Sequence, residues 1–350
     1  MPIITVLGAG AMGSALCTPV ADAGWDVRLW GTWLDDHLID ACEAGKPHPR
    51  TKVPLAQGVK LYRVAELDKA LEGADVVVMA VASVGVPKIT EMALEGIAQA
   101  KALWLTSKGF CADERGNIQL LPDAIRGIAA AAGHPHLPPI VAIAGPVKAN
   151  ECAARKPTAT IFGCRDYDTS TRYARTARTD HYCIEPSGDE IGVEICAPMK
   201  NVYAIALGIS DGLEEATGIP HHNLKAATFT QAVREMSILG QAMGAQAETA
   251  FGLAGVGDLE VTGLSGRNKV YGVRLGRGEA PDEALAEMER LEQTVEGIPA
   301  AGLAEKYVSQ QAPNLIEELP LLGAVNAILK GSDQPVHDVI AKAVLPRDPH

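Results

Sequence analysis

Short apolar runs alternate with helical stretches along the first half of the chain. Ile3–Leu7 predicts a strand, residues 12–23 predict a helix, and Asp26–Trp30 predicts a second strand. Three further runs are almost entirely apolar, at residues 75–80, 102–106 and 140–144. Such runs are typical of strands that are covered on both faces. The alternation predicts an α/β fold with a mostly parallel, doubly wound sheet.

The pattern changes near residue 187. Beyond this point strand-like runs nearly vanish, and helices are predicted at residues 191–213, 223–243, 282–291 and 301–308. Ser187 and Glu190 have the spacing of a helix-capping box, which places the start of the helical half here. We therefore predict two domains, residues 1–186 with the sheet and residues 187–350 as an all-helical domain.

Composition narrows the class of protein. The chain has 350 residues, 47% hydrophobic, with a formal net charge of −12 and 4% aromatic residues. This content is too apolar for a disordered chain, and the negative charge argues against nucleic-acid or anionic-membrane binding. No apolar run approaches the roughly 18 residues of a membrane span, and the first strand lacks the basic start of a signal peptide. We expect a cytoplasmic protein without membrane or nucleic-acid partners.

The cysteines indicate neither a disulfide framework nor a metal site. They are seven in number and scattered, with no Cys-x-x-Cys pair and no Cys/His cluster of ligand spacing. Most lie in apolar stretches, as expected for free thiols in a reducing compartment. We therefore predict no bound metal.

Residues 8–13 read Gly-Ala-Gly-Ala-Met-Gly, directly after the first strand and at the start of a helix. Gly8 permits a tight turn, Gly10 lets the backbone approach a pyrophosphate, and Gly13 lets helix and strand pack closely. The N–H groups at the start of the helix favour phosphate binding. The motif predicts a Rossmann-type dinucleotide site, and a glycine-rich turn without a ligand is the alternative.

The end of the second strand bears on the choice of dinucleotide. A ribose-binding acid is expected there, and the chain has Asp35 and Asp36 slightly beyond the strand. No arginine stands at the strand end to pair with a 2′-phosphate, so the sequence favours NAD, with NADP still possible. Trp30 or Trp33 either stacks near the adenine or packs in the core.

Two lysines stand in settings that favour chemistry. Lys108 follows the strand predicted at 102–106, at the carboxyl edge of the sheet, where ligands of this architecture bind. Lys200 and Asn201 lie in the middle of an apolar helix, and Pro198 is expected to kink that helix. A lysine in such a stretch either extends to solvent or takes part in chemistry.

A second polar group lies further along the helical half. Asp258 ends a Gly-Val-Gly-Asp sequence, Thr262 follows it, and Arg267 stands among small residues that allow a ligand to approach. Arginine is the natural bidentate partner of phosphate. A helix cap with a surface salt bridge is the alternative interpretation.

Taken together, these stretches resemble the NAD(P)-dependent glycerol-3-phosphate dehydrogenases. The resemblance runs nearly end to end, and the combination of Lys-Asn, Gly-x-Gly-Asp-Leu and Gly-Arg-Asn at these separations is specific. The matched segments are residues 8–13, 107–109, 145–146, 194–201, 255–258, 267–268 and 295–297.

The resemblance implies a Rossmann-type cofactor domain joined to a helical substrate domain, with the active site between them. It also implies reversible reduction of dihydroxyacetone phosphate to sn-glycerol 3-phosphate with NADH, NADPH being the alternative. Lys200 would be the acid/base, with Lys108 and Asp258 beside it as catalytic groups. The substrate residues would be Asn201, Thr262, Arg267 and Asn268, the last two holding the phosphate. The cofactor residues would be Gly8, Gly10, Ala11, Met12, Gly13, Trp30, Lys108, Arg267 and Glu296. We expect a homodimer.

Three departures from the family pattern concern the substrate more than the reaction. Val147-Lys148-Ala149 follow the Gly-Pro pair in place of the family's polar residue, Pro198 precedes the catalytic lysine, and His221-His222 replace a glycine-rich turn. Two alternatives therefore stay open. In the first alternative, the protein is a reductase of another polyol phosphate or a hydroxy acid. In the second, it is a non-catalytic dinucleotide sensor.

Overall fold

The computed structural model describes residues 1–291 and 293–346, which divide into two compact units. Unit 1 comprises Met1–Cys111 and Gln119–Glu194, and unit 2 comprises Ala112–Ile118 and the chain from Ile195 onward. This division falls later in the chain than the boundary predicted at residue 187. The reason lies in Glu190, which is 2% exposed and forms ion pairs within unit 1.

The strands of the described chain are β1 (Ile3–Leu7), β2 (Asp26–Trp30), β3 (Lys60–Tyr62), β4 (Val76–Met79), β5 (Ala102–Leu105), β6 (Phe110–Ala112), β7 (Ile118–Leu120), β8 (Ile140–Ala144), β9 (Thr158–Gly163) and β10 (Tyr182–Ser187). Eight of them form one sheet in the order β10-β9-β8-β5-β4-β1-β2-β3, and β6 pairs with β7 separately. Strands β3, β2, β1, β4, β5 and β8 are parallel, whereas β9 runs antiparallel to β8 and parallel to β10. The predicted doubly wound sheet is confirmed.

Side-chain alternation explains why the sheet is buried on both faces. Along β4, Val76 and Val78 belong to one hydrophobic cluster, and Val77 and Met79 belong to a second cluster on the other face. The same division recurs along β1 and β5. Because both faces are apolar, helices must cover both, which is the condition for a parallel sheet.

The helices of unit 1 are α1 (Ala11–Asp22), α2 (Asp36–Glu43), α3 (Leu67–Leu71), α4 (Val86–Gln99), α5 (Leu121–Ala131), α6 (Ala149–Ala153) and α7 (Tyr167–Thr176). The strand order reverses between β1 and β4. Ligands of doubly wound sheets bind beyond the carboxyl ends of the strands at this reversal. The glycine-rich residues 8–13 follow β1 directly and therefore lie at that point.

The later helices are α8 (Glu190–Thr217), α9 (His222–Ala242), α10 (Ala247–Phe251), α11 (Asp258–Leu264), α12 (Arg267–Gly276), α13 (Pro281–Arg290), α14 (Gly297–Gln311), α15 (Pro320–Leu329) and α16 (Val336–Val344). A π turn, Leu253–Gly257, precedes α11. Unit 2 is helical, as predicted, except for the tip of the β6–β7 hairpin.

Glycines let α8 and α12 pack with their backbones in contact. A Cβ on Gly208 or Gly212 of α8 would lie 2.2 or 2.1 Å from a carbonyl oxygen of α12. A Cβ on Gly272 or Gly276 of α12 would lie 2.0 or 2.2 Å from a carbonyl oxygen of α8. No side chain fits at these positions, so the two helices approach closely enough for short polar side chains to meet.

The predicted capping box at the start of α8 is wrong. Ser187 is still part of β10, and its hydroxyl accepts a hydrogen bond from the N–H of Asp189 at 3.1 Å. Asp189 is the residue that caps α8, since its carboxylate accepts from the N–H of Gly192 at 2.9 Å. The helix then continues through Pro198 to Thr217.

Three further observations concern disulfides, metal sites and membrane spans. All seven cysteines are free thiols in the structure. Among the residues that are described, no group of three or more His, Cys, Asp or Glu side chains is arranged to hold a metal ion. Over the same residues, no helix combines the length and apolar character that crossing a membrane requires.

Candidate active site

The loop between β1 and α1 is shaped by two glycines. Gly8 has φ +112°, and a Cβ there would lie 3.0 Å from the carbonyl oxygen of Ala80, just beyond β4. A Cβ on Gly13 would lie 2.1 Å from the carbonyl oxygen of Gly8. Because only glycine fits at these two positions, the loop closes tightly between the strand and the helix.

Gly10 has a different role, because it is open to a ligand. It is the N-cap of α1, and within the described chain no side chain caps that helix end. A Cβ on Gly10 would meet nothing within 4 Å. A backbone that is bare on one face and begins a helix fits the pyrophosphate of a dinucleotide, with Ala11 and Met12 contributing first-turn N–H groups.

Asp35, a few residues beyond the end of β2, binds this loop through its carboxylate. The two tryptophans near it lie in different surroundings. Asp35 accepts hydrogen bonds from the N–H and hydroxyl of Thr32, both at 2.9 Å, and from the N–H of Ala9 at 3.3 Å. The Trp30 ring is fully buried in the core, so the prediction that it contributes to cofactor binding is corrected to core packing. Trp33 is 44% exposed, with the Lys88 ammonium 4.0 Å from its ring centroid.

His48 also contacts the loop, and sequence reasoning missed it. The side chain is 1% exposed, and its Nε2 lies 2.9 Å from the carbonyl oxygen of Ala9. A single histidine in an irregular segment belongs to no periodic pattern and no motif. Only the fold, which returns the chain to the glycine loop after α2, reveals this contact.

Lys108 lies where the sequence predicted, beyond the carboxyl end of β5. The hydroxyl of Ser107 donates to the carbonyl of Val81 at 2.6 Å, which ties this segment to the chain beyond β4. A Cβ on Gly109 would lie 2.5 Å from Cβ of Ser83, so the chain turns closely there. Lys108 is half-buried between these two fixed residues.

Unit 2 holds a buried lysine–carboxylate pair. Lys200 of α8 is 8% exposed, and its ammonium donates to the carboxylate of Asp258, which is fully buried. Asp258 begins α11 directly after the π turn, where a Cβ on Gly255 would lie 1.9 Å from the carbonyl oxygen of Ala250. Lys200 therefore does not extend to solvent. The first glycine of the Gly-x-Gly-Asp sequence is required because a side chain there would collide with the backbone of Ala250. Irregular π turns within helices are frequent at functional sites.

An amide network adjoins this pair. Asn268 donates through Nδ2 to Oδ1 of Asn201 at 3.0 Å, and its Oδ1 accepts from the N–H of Gly297 at 2.8 Å. Both asparagines are buried. A Cβ on Gly297 would lie 2.5 Å from the carbonyl oxygen of Asn201, so α14 begins in direct contact with α8. The network fixes the orientation of Asn201, the neighbour of Lys200.

The remaining predicted substrate residues lie at the ends of α11 and α12. The hydroxyl of Thr262 donates to the carbonyl of Asp258 at 2.6 Å, one turn earlier. Arg267 is the first residue of α12, and its Nη2 lies 3.4 Å from Oε1 of Glu296. Both side chains of this pair are almost half exposed, so the pair contributes little to stability. A guanidinium at a helix N-terminus is well suited to a phosphate.

Glu194, the first residue of the matched segment 194–201, is a buried acid for which no role was predicted from the sequence. It is 1% exposed, one turn after Glu190 on α8. Burial raises the pKa of Glu194 well above its ordinary value, the charge of Glu190 raises it further, and the charge of Lys108 opposes the rise. Burial in this position therefore favours the protonated form of the Glu194 carboxyl.

Two family models match the chain. Residues 3–170 match the model for the NAD-dependent glycerol-3-phosphate dehydrogenase N-terminus, and residues 189–340 match the model for its C-terminus.

The chain belongs to the NAD-dependent glycerol-3-phosphate dehydrogenase family.

Individual relatives agree with this membership. The chain is 37% identical to an NADP(+)-dependent glycerol-3-phosphate dehydrogenase of Archaeoglobus fulgidus over 288 residues, covering 82% of this chain and 84% of that protein. It is 31% identical to a glycerol-3-phosphate dehydrogenase [NAD(P)+] of Deinococcus radiodurans over 340 residues, covering 96% and 93%. The crystal structure of a glycerol-3-phosphate dehydrogenase from Coxiella burnetii superposes with a TM-score of 0.82 at 28% identity, covering 97% and 98%.

The predicted family and the predicted two-part fold are thereby confirmed, and a nicotinamide dinucleotide is the cofactor by which this family is described. Within unit 2, hydrogen bonds join Lys200 and Thr262 to Asp258, and a separate hydrogen bond joins Asn268 to Asn201, the residue that follows Lys200 on α8. The roles of the individual residues remain predictions.

Proposed function

We propose that this protein catalyses the reversible, NAD(P)H-dependent reduction of dihydroxyacetone phosphate to sn-glycerol 3-phosphate. The observation that carries the proposal is the Lys200 ammonium, 8% exposed and paired with the fully buried carboxylate of Asp258. A carboxylate partner would add little stability to a lysine on the surface. A general acid, by contrast, must be held in one orientation, and the buried Asp258 carboxylate holds Lys200 in this way. Family membership supports the substrate.

Lys200 acts as the general acid in reduction. When bound, the nicotinamide supplies a hydride to the carbonyl carbon or accepts one from the alcohol carbon. The Lys200 ammonium donates its proton to the carbonyl oxygen, and in the reverse direction the neutral amine takes the hydroxyl proton. Asp258 orients the ammonium and balances its charge in a buried site. We propose Lys108 as a second cation that stabilises negative charge on the substrate.

Arg267 is proposed to bind the substrate phosphate together with the N-terminus of α12. Its pairing with Glu296 is long and exposed, so little stability is lost when the guanidinium turns to a ligand. Asn268 uses its oxygen for Gly297 and one N–H for Asn201, and an amide nitrogen carries a second N–H for the phosphate. Thr262 and Asn201 complete the proposed substrate set.

The dinucleotide is proposed to bind residues 8–13 of unit 1. The bare face of Gly10 and the uncapped start of α1 within the described chain fit its pyrophosphate. The sequence favours NAD, whereas the Archaeoglobus relative is described as NADP(+)-dependent. Both dinucleotides therefore enter the test of function.

The test follows the loss of reduced-nicotinamide absorbance with NADH and with NADPH. The substrates are dihydroxyacetone phosphate, unphosphorylated dihydroxyacetone and a longer phosphoketose. We expect the three-carbon phosphate to have the highest kcat/KM. Preference for the longer phosphoketose would favour the polyol-phosphate alternative. Binding of a dinucleotide without turnover of any substrate would favour the sensor alternative.

We also propose that the protein is a cytoplasmic homodimer. The free thiols of all seven cysteines support a reducing compartment. Ile219, Phe251 and Leu264 of unit 2 are large apolar side chains that are each at least 60% exposed, as at a subunit interface. Light scattering after size-exclusion chromatography should give twice the chain mass of 36.7 kDa. A value equal to the chain mass would contradict the dimer.

A further inference from the structure

His48 lies in the segment between α2 and β3, and its side chain is held on every polar atom. Its ring is 1% exposed and contacts the glycine loop through Nε2, which lies 2.9 Å from the carbonyl oxygen of Ala9. The surrounding turn is closed by its own backbone. The N–H of His48 donates to the carbonyl of Val53 at 2.9 Å, and the N–H of Lys52 donates to the carbonyl of His48 at 2.8 Å.

The hydrogen bonds determine which ring nitrogen carries the proton. Nδ1 faces the backbone N–H groups of Arg50 at 3.2 Å and Thr51 at 3.4 Å, and both of these can only donate. Nδ1 is therefore the acceptor, and Nε2 carries the hydrogen that it donates to Ala9. Burial lowers the pKa of His48, which keeps the ring in this neutral form.

Ala9 is held on both sides by side chains. His48 binds its carbonyl oxygen, and Asp35 accepts from its N–H at 3.3 Å. Glycine-rich backbone has little stiffness of its own, so these two contacts supply the rigidity that residues 8–10 lack.

The bond to the Ala9 carbonyl also orients the next N–H. In a trans peptide, the carbonyl and the following N–H point in opposite directions within one plane. With the Ala9 carbonyl directed at His48, the N–H of Gly10 points away from the ring. Gly10 is the residue whose backbone approaches the pyrophosphate in this motif.

We propose that His48 is a positioning residue for the dinucleotide: its neutral Nε2–H holds the Ala9 carbonyl and thereby directs the Gly10 N–H toward the pyrophosphate. The proposal rests on the proposed dinucleotide binding of unit 1. It assigns to His48 no contact with the cofactor itself.

Two substitutions separate this role from simple packing. In His48→Gln, the amide nitrogen reaches about as far as Nε2 and can donate to Ala9. In His48→Asn, the shorter amide reaches the position of Nδ1 and loses the bond to Ala9. We expect the Kd for NADH, or for NADPH if that is the tighter ligand, to rise about tenfold in His48→Asn, as for one lost hydrogen bond, and less than threefold in His48→Gln.

The dissociation constants are measured by fluorescence titration of the full chain, alongside thermal unfolding. In steady-state kinetics, His48→Asn should raise the KM for the dinucleotide and leave kcat at saturation unchanged. The control is His134→Gln, which alters a partly exposed histidine of unit 1 that pairs with Glu95, and its Kd should equal the wild-type value. Equal weakening by Gln and Asn, or none by either, would overturn the proposal.

The unsubstituted protein offers a test that does not depend on the folding of a variant. Nitrogen chemical shifts of the His48 ring distinguish the two neutral forms, and we expect the form protonated on Nε2. Protonation on Nδ1 would overturn the proposal. If the wild-type chain binds neither dinucleotide while its ring carries the Nε2 proton, the proposed function fails and the tautomer stands.

Discussion

The two proposed sites are built in different ways: the glycine loop, residues 8–13 of unit 1, and the lysine site, Lys200 and Asp258 with their neighbours in unit 2. The loop is contiguous in sequence, and its proposed binding of the dinucleotide relies on backbone N–H groups at the start of α1. The lysine site draws side chains from α8, α11 and α12, far apart in sequence. Both nevertheless depend on positions where a Cβ would collide, such as Gly13 in the loop and Gly297 beside Asn201. Because the loop acts through its backbone, we expect its function to be lost when a side-chain atom is added. Because the lysine site acts through side chains, we expect its function to be lost when one of them is truncated.

The largest effect is expected from truncation in the lysine site. Lys200→Ala removes the proposed general acid, which is worth about a hundredfold to ten-thousandfold in rate. We expect kcat for dihydroxyacetone phosphate to fall by that range, with the Kd for the dinucleotide nearly unchanged. The control is Lys330→Ala, an exposed lysine of the same unit paired with Glu305.

The next effect concerns an added atom in the loop. Gly10 has φ −64°, which alanine adopts without strain, and its Cβ would meet nothing within 4 Å. Gly10→Ala should keep the wild-type melting temperature and weaken dinucleotide binding by about tenfold or more, because the methyl group occupies the face proposed for the pyrophosphate. Gly127→Ala, in α5 with equally open surroundings, should leave binding unchanged. Wild-type affinity in Gly10→Ala would remove the pyrophosphate from this face.

Truncation at the edge of the lysine site should act on substrate binding alone. Arg267→Ala is expected to raise the KM for phosphorylated substrates by roughly tenfold to a hundredfold, the worth of charge-assisted hydrogen bonds, with a small change in kcat. Arg277→Ala, an equally exposed arginine just beyond the same helix, is the matched control. An equal effect on phosphorylated and unphosphorylated substrates would refute the phosphate role.

The smallest effect concerns stability and pH. The pKa of Glu194 is raised by burial, so the folded chain retains a proton that the unfolded chain loses above its ordinary value of 4.5. The stability of the wild type should therefore decline as pH rises from that value toward the raised pKa, by at most about 1.4 kcal/mol per pH unit.

In Glu194→Gln, the free energy of unfolding should no longer decline with pH. It is measured by urea unfolding between roughly pH 5 and 8. Glu185→Gln, at an exposed position of β10, should keep it. An identical pH slope in wild type and Glu194→Gln would mean that Glu194 is ionised in the folded chain.

Five strands of the eight-stranded sheet were predicted from the sequence, and β3, β9 and β10 were missed. Strands β1, β4, β5 and β8 are largely apolar because both of their faces are covered, whereas β2 carries the half-buried charged residues Asp26 and Arg28. β3 was missed because its three residues, Lys-Leu-Tyr, are partly or fully exposed, and β10 because Glu185 and Pro186 interrupt its apolar pattern. The cap of α8 was misassigned for a related reason, since β10 still includes Ser187.

The two sites differ in the same way. The glycine loop is visible in one short motif, whereas the meeting of Lys200 with Asp258 depended on a resemblance for its prediction. Periodicity says nothing about which distant polar residues meet inside a helical unit. His48 was invisible for this reason, since its contact with Ala9 joins residues 39 positions apart through an irregular segment.

Chemical rescue of a Lys200 variant shows whether the Lys200 side chain transfers the proton. Lys200→Ala is assayed with dihydroxyacetone phosphate and the preferred reduced dinucleotide, in the presence of increasing concentrations of small primary alkylamines. We expect a turnover that is nearly absent without amine and rises with amine concentration, because the truncated side chain leaves room for an ammonium near Asp258. Turnover at the wild-type rate without any amine would contradict it.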